Sequence, residues 1–289
     1  MASDFYQNKI KNYIMQMPSL PTSVTKVIEV CNNPKTSPVD LDKVISLDPV
    51  LMGRVIKLIN SAYYGVQNKI TNLVRAIIML GLNTVKNLAL STAVLDKLSD
   101  KSSFKALNME GFWRHSLCTG VVAKLIAKER KIDNKQLDEY FAAGLLHDIG
   151  KIPLNNIVSD DFIKAMAIAD SEKIPLYLAE KRTFDMDHTD VGGLIIEAWR
   201  LSGAIADTIR YHHSLELYEG EYKDIIMTVI VADNYANKNG IGFSGCLYPE
   251  KVPSEYWNAL AIPKEWLHQI DDIVNSEIEK ASIFLKIKE

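Results

Sequence analysis

Apolar residues recur at helical spacing along nearly the whole chain, and no segment alternates apolar and polar residues as a half-buried strand does. Val24, Val27, Ile28 and Cys31 fall at i, i+3, i+4 and i+7. Leu41, Val44 and Ile45 open a short helix that must stop at Asp48-Pro49, because the residue before a proline avoids the helical region. The same pair suits the start of the next helix, with Asp48 as N-cap and Pro49 in the first turn. That helix runs through Leu51, Val55, Leu58 and Ile59 to Asn60-Ser61, which end it and tie down the following loop or else contact a ligand. Leu73–Leu80 forms a third, ended by Gly81 in a left-handed C-cap, and Asn83 caps a fourth through Val85, Leu88, Leu90 and Val94. Further helices are predicted near 109–129, 135–148, 159–170, 174–180, 188–200, 202–214, 222–238, 254–260 and 264–285. A polar break at Asp100 to Ser103 is the best internal boundary. The expected fold class is all-α: an N-terminal helical bundle over 1–100, a larger helical part over 101–240 and a C-terminal helical extension over 241–289. In that extension Trp266, Ile270, Ile273, Val274 and Ile278 form one apolar stripe that packs on the core.

Composition excludes several function classes. The chain has 289 residues, 47% of them hydrophobic, enough for a sizeable core, and a formal net charge of −3. Nothing in that charge favours a phosphate backbone. The segment AIIMLGLNTVKNLAL has a helix-turn-helix cast with Gly81 in the turn, but its second helix carries only Lys86 and Lys97, so no nucleic-acid partner is expected. Three cysteines, Cys31, Cys118 and Cys246, are odd in number and far apart. They make neither a disulfide framework nor a thiolate zinc ribbon, and a reducing cytoplasm is the expected compartment. The N-terminus lacks an apolar signal core and no apolar run approaches the length of a membrane span, so no membrane association is expected.

The six histidines are more informative than their number. In EYFAAGLLHDIGK, Phe141, Gly144, Leu145 and Asp148 share one helical face, so a carboxylate beside His147 points with apolar side chains. An uncompensated buried carboxylate costs several kcal/mol, of order 2–5. His115 repeats the pattern with Phe112, Cys118, Thr119 and Val122, and Asp233 repeats it behind Ile226 and Ile230. Three polar groups on three apolar faces share a need that one divalent cation would meet through imidazole nitrogen and carboxylate oxygen. His188 lies at the edge of the face formed by Val191, Leu194 and Ile195, after a capping Asp187, and His212-His213 ends the next helix. Singly, each of these is also what a hydrogen-bonded core residue looks like, and Asp233 alone also reads as a buried acid paired with a lysine or arginine. His268 stands apart in a polar-faced helix.

These residues resemble the HD superfamily of metal-dependent phosphohydrolases, whose pattern is a His, a His-Asp pair and a distal Asp on separate helices; His115, His147-Asp148 and Asp233 match it in order. Gly150 and Lys151 follow the pair as they often do in that superfamily. His188, Val191-Gly192, Trp199 and His212-His213 resemble the second-metal half of HD-GYP relatives, but SLELYEGEYKD after His213 has no Gly-Tyr-Pro loop. The N-terminal part is similar to the HDOD domain, the HD-related output domain of bacterial signalling. Its marks are Leu20-Pro21, Asp48-Pro49, Asn60-Ser61-Ala62, Gly65, Ile70, Ala76-Ile77 and Leu80-Gly81, and the combined resemblance covers roughly 15 to 240.

The resemblance implies that His115, His147, Asp148 and Asp233 hold one metal and His188, His212 and His213 a second, with Asp148 bridging. Two divalent transition metals are expected, iron or manganese first and nickel or zinc next. Gly111 stands where trinuclear relatives carry a Glu, which argues against a third. Asp148 and Lys151 are the catalytic candidates, Lys151 by neutralising a phosphate oxygen; its structural alternative is a lysine closing a helix against the dipole. HDOD proteins generally act as regulatory or interaction modules whose hydrolase site has decayed, whereas here each ligand position is filled. The resemblance therefore implies a signal-transduction module with a protein partner and, as the alternative, a phosphohydrolase acting on a nucleotide or cyclic nucleotide. Any input signal is expected to come from another protein or a small molecule.

Overall fold

The computed structural model describes residues 2–98 and 105–286, and among these the chain is helical without a strand. The first helices are α1 (Ala2–Gln16), α2 (Thr22–Cys31), α3 (Pro38–Ser46), α4 (Pro49–Ile59), α5 (Leu73–Leu80) and α6 (Leu82–Leu98). The expected boundary at Asp100 to Ser103 lies outside the described residues. After it come α7 (Met109–Glu129), α8 (Leu137–Leu146), α9 (Lys151–Ile157), α10 (Ser159–Glu172), α11 (Leu176–Phe184), α12 (His188–Trp199), α13 (Ala204–Tyr211) and α14 (Lys223–Lys238). The chain closes with α15 (Ser254–Leu260), α16 (Lys264–Gln269) and α17 (Asp271–Ala281). No single helix is long and apolar enough to cross a membrane.

Local chemistry sets the N-terminal bundle. The Asp48 carboxylate accepts from the backbone N–H groups of Val50 and Leu51 and from Ser23 Oγ at 2.6 Å, so one N-cap also ties α2 to α4. Asn60 ends α4 and pins the loop: its Nδ2 donates to the Ile56 and Ile70 carbonyls and its Oδ1 accepts from the Ile70 N–H at 2.7 Å. Between α5 and α6 the chain turns by 112° at Gly81, whose φ of +93° suits only glycine.

Helix α7 is the central post. It packs against α8, α14 and α17, and Phe112, Trp113, Leu117, Val122 and Ile126 on it are buried. Glycines set the α7–α8 crossing: a Cβ at Gly144 would lie 2.8 Å from Gly120 Cα. Helices α7, α8 and α14 are also clamped together where Arg130 donates twice to Asp224 at 2.7 Å and Tyr140 donates to it at 2.6 Å.

The structure departs from the sequence reading in several places. Helices α1 and α9 were not expected; in α9 Pro153 sits in the first turn, where a missing N–H costs nothing. Helix α6 starts at Leu82, so Asn83 lies in its first turn and is not its cap. Helix α11 runs on to Phe184. The helix expected over 264–285 is broken at Ile270, with Asp271 and Asp272 opening α17 where the helix dipole favours acids. Ile270, Val274 and Ile278 are buried, but Ile273 is exposed.

Candidate metal centre

Five helices deliver one cluster of side chains. His115 comes from α7, His147 and Asp148 from the turn after α8, His188 from the first residue of α12, His212 and His213 from the end of α13, and Asp233 from α14. His115, His147, Asp148, His188 and His212 are buried, while His213 and Asp233 are half-buried at a small mouth. His188, at the edge of its helix face, is thus fully buried. His268 is exposed on α16, away from this set.

Backbone and carboxylate partners fix how the rings point. His147 Nδ1 lies 2.7 Å from the Gly144 carbonyl and His212 Nδ1 2.9 Å from the Thr208 carbonyl. A carbonyl only accepts, so both Nδ1 atoms carry hydrogen and both Nε2 atoms turn inward. Helix α12 begins with a capping box between Asp187 and Asp190, which sets His188 at its start. His188 Nδ1 then donates to Glu180 Oε2 at 2.6 Å, and the His188 backbone N–H donates to the same oxygen at 2.9 Å. Gly150 makes this approach possible, because a Cβ there would lie 1.9 Å from the His188 carbonyl.

The Asp148 carboxylate stands between two groups. Its Oδ2 is 3.4 Å from His147 Nε2 and 3.9 Å from His115 Nε2. Its Oδ1 is 3.2 Å from His188 Nε2 and 3.7 Å from His212 Nε2. Asp233 Oδ1 lies 2.9 Å from His115 Nε2 and 3.5 Å from His147 Nε2. The donor atoms of His115, His147 and Asp148 lie within 4.8 Å of one another, and so do those of His188, His212 and His213. Among the described residues, His115 Nε2, His147 Nε2 and Asp148 Oδ1 are buried with no aligned hydrogen-bond partner. Lone pairs that converge without bonding one another fit a divalent cation, and the mixed nitrogen and oxygen set fits a borderline one.

The electrostatics show carboxylates that draw positive charge into the cluster. Burial pushes the Asp148 carboxyl up, yet His147 and Lys151 outweigh it and hold it well below the usual carboxylate range. Burial likewise pushes the Asp233 carboxyl up, and His115 and His147 outweigh it and hold it well below the usual carboxylate range. His147 is pushed down by burial but raised to about 10 by Asp148 and Asp233. His212 and His213 are lowered, first by burial and then by neighbouring imidazoles, although Asp148 pulls His212 the other way.

Lys151 Nζ lies 2.6 Å from Asp148 Oδ2 and the side chain is buried. It opens α9 and does not close the preceding helix, so the dipole alternative is set aside. Three residues that the sequence reading passed over complete the site. Glu180 holds His188, and its apolar neighbours Leu176, Ala179 and Phe184 on α11 are the same signal that marked His115. Asn237 donates to Asp233 Oδ1 at 2.9 Å and itself accepts from Ser244. Tyr177 stacks on His213, ring centroids 4.4 Å apart. The mouth is a cavity of about 160 Å³ lined by Lys151, His188, His213, Asp233, Tyr177 and Tyr256 among others.

Comparison with known proteins agrees with this fold. The family model of the HDOD domain matches residues 17–215, stopping short of Asp233. An uncharacterized protein of Treponema pallidum (strain Nichols) is 27% identical over 227 residues, 78% of this chain and 43% of that protein. The chain therefore spans less than half the length of this curated relative. An HDOD domain protein of unknown function from Geobacter sulfurreducens superposes with a TM-score of 0.75 at 25% identity, covering 97% of this chain and 98% of that one. A protein of Marinobacter aquaeolei VT8 assigned to signal transduction also reaches a TM-score of 0.75, at 17% identity, over 100% of this chain and 66% of its own; at that identity the likeness concerns fold alone. With 17–215 matched by the family model and the helical fold shared, the chain belongs to the HDOD domain family.

Proposed function

We propose that this chain is a cytoplasmic signalling module whose dinuclear metal centre of the HD type organises its helices for a protein partner. The observation that carries the reading is the Asp148 carboxylate, with Oδ2 facing His147 and His115 and Oδ1 facing His188 and His212. His115, His147, Asp148 and Asp233 would hold one cation, and His188, His212 and His213 the other, with Asp148 shared. Iron or manganese suits this imidazole and carboxylate set first, nickel or zinc next. Such cations, when bound, supply Lewis acidity toward a phosphate oxygen and neutralise the buried carboxylates. The chain's own residues do the positioning: Glu180 orients His188, Asn237 orients Asp233, and Lys151 holds the shared carboxylate.

The size of the mouth favours the regulatory role over nucleotide turnover. Pockets that engulf a nucleotide-sized ligand start at about 300 Å³. The mouth here, about 160 Å³, has room for an inorganic anion or a small ester group. A phosphohydrolase is the second reading, supported by Lys151, which lines that mouth as a cation beside Asp148. The test is a turnover screen of the metal-loaded chain with nucleotides, cyclic dinucleotides and a generic phosphodiester. Bound metal without turnover is the expected result. Turnover that disappears with Asp148→Asn selects the hydrolase instead.

A further inference from the structure

Residues 241–253 join α14 to α15 as a strap with neither helix nor strand, and they form one wall of the metal-centre mouth through Cys246 and residues 249–253. The strap begins against the helix that carries His115. Gly242, at a φ of +74°, runs so close to α7 that a Cβ on it would lie 2.3 Å from the His115 backbone nitrogen. The next N–H, of Phe243, donates to the Gly111 carbonyl at 2.8 Å.

Beyond that point side chains hold the strap. Among the described residues, 244–252 make no backbone-to-backbone hydrogen bond. Two side-chain links take their place, and each leads to a candidate metal ligand. The first runs through Ser244, which is 1% exposed. An ionised carboxylate only accepts, so Asn237 must turn its Nδ2 toward Asp233 Oδ1, 2.9 Å away, and its own Oδ1 toward the strap. The Ser244 hydroxyl donates to that Oδ1 at 3.0 Å. The second link runs through Glu250. Its carboxylate accepts from the Tyr177 hydroxyl at 3.3 Å, and the Tyr177 ring stacks on His213. Asn234, beside Asp233 on α14, adds a bond from its Nδ2 to the Glu250 carbonyl at 2.5 Å.

A segment with so few backbone hydrogen bonds opens at a low cost in free energy. Its links are only as firmly placed as Asp233 and His213, the two half-buried members of the cluster. Cations held by these residues fix them and, through Asn237 and Tyr177, fix the strap. Linkage is reciprocal: cations that favour the closed strap leave it looser when they depart.

We propose that the 241–253 strap is a metal-linked switch, closed over the centre when cations occupy it and loosened when they leave. The surface that changes with loading carries the exposed side chains of Phe243, Leu247 and Tyr248. The switch rests on the dinuclear centre proposed above and gives it a readout at the surface.

The test is limited trypsin digestion of the full chain, chelator-treated and manganese-loaded, with metal content measured and fragments assigned by mass. Lys251 is exposed on the strap, and Lys69 is exposed in the loop between α4 and α5, in the bundle that supplies no candidate ligand. Manganese is expected to slow cleavage after Lys251 at least fivefold and cleavage after Lys69 less than twofold. Ser244→Ala/Glu250→Ala keeps every candidate ligand but cuts both links; it is expected to take up metal while protection at Lys251 falls below twofold. Glu250→Ala alone, at an exposed position, is expected to reduce that protection at least twofold. Wild-type protein that takes up no metal removes the centre and the switch together. Metal uptake with cleavage after Lys251 unaffected, or slowed no more than cleavage after Lys69, overturns the switch alone. So does full protection at Lys251 in either variant.

Discussion

Replacing Asp148 with Asn keeps the shape of the side chain and removes its charge. Lys151 Nζ, 2.6 Å away on a buried side chain, then loses the carboxylate it pairs with. Breaking a buried pair by removing one partner costs about 3–5 kcal/mol, because the surviving charge stays desolvated and uncompensated. For a chain of this size that corresponds to roughly 6–20 °C in melting temperature. This loss should appear in chelator-treated protein, where no cation contributes. Adding Lys151→Met removes the stranded ammonium and should return most of the lost stability, since the uncompensated buried charge carries most of the cost. The metal-dependent part behaves differently. A cation at about 100 times its Kd adds about 2.7 kcal/mol of stability. Neither the single nor the double variant should recover that gain, because both lack the carboxylate that faces both histidine groups. The assay is a set of thermal melts of wild type, Asp148→Asn and Asp148→Asn/Lys151→Met, each with chelator and with added manganese. A double variant no more stable than the single one in chelator would refute the pairing argument. A metal-dependent gain as large in Asp148→Asn as in wild type would refute the bridging role.

Glu180→Gln keeps a hydrogen-bond acceptor for His188 Nδ1 but removes the charge, and metal affinity measured by competition with a chromophoric chelator should fall about tenfold. Asp224→Asn tests the clamp between α7, α8 and α14. Burial pushes the Asp224 carboxyl up, but Arg130 and Tyr140 lower it overall, so its contribution is present above the unfolded carboxylate range and is lost as pH falls through the depressed folded value. With that side chain partly exposed the contribution is about 1 kcal/mol, and acid melts should show wild type and variant converging at low pH while wild type melts higher near neutrality. Gly150→Ala should be poorly tolerated, because its Cβ would lie 1.9 Å from the His188 carbonyl; a lower melting temperature together with weaker metal uptake is expected, and unchanged metal affinity would show that the turn does not set the position of His188.

Much of the fold was legible because each helix carries its own signals. Asp48 and Asp187 cap the helices that the sequence assigns to them, and the spacing of apolar residues sets α7 and α14 to within a residue or so. The convergence of these side chains was legible for a related reason: His115, Asp148 and Asp233 are polar groups on apolar stripes, and burying such groups requires polar partners. Glu180 carries the same mark, but the predicted helix stopped at 180 and its buried face, completed by Phe184, was not visible. The break at Ile270 was hidden because the apolar stripe continues across it in the same phase. The Asp148–Lys151 pair depends on the turn between α8 and α9, where a one-residue change in pitch decides which side chains meet.

The most direct measurement is the metal content of the wild-type chain, by elemental analysis as purified from cells and after anaerobic reconstitution, alongside His115→Ala and His188→Ala. A dinuclear centre gives about two equivalents of divalent transition metal in wild type, with each variant losing at least one. Wild-type protein that carries no metal and takes none up, or variants that keep the full complement, would contradict the assignment of these histidines as metal ligands.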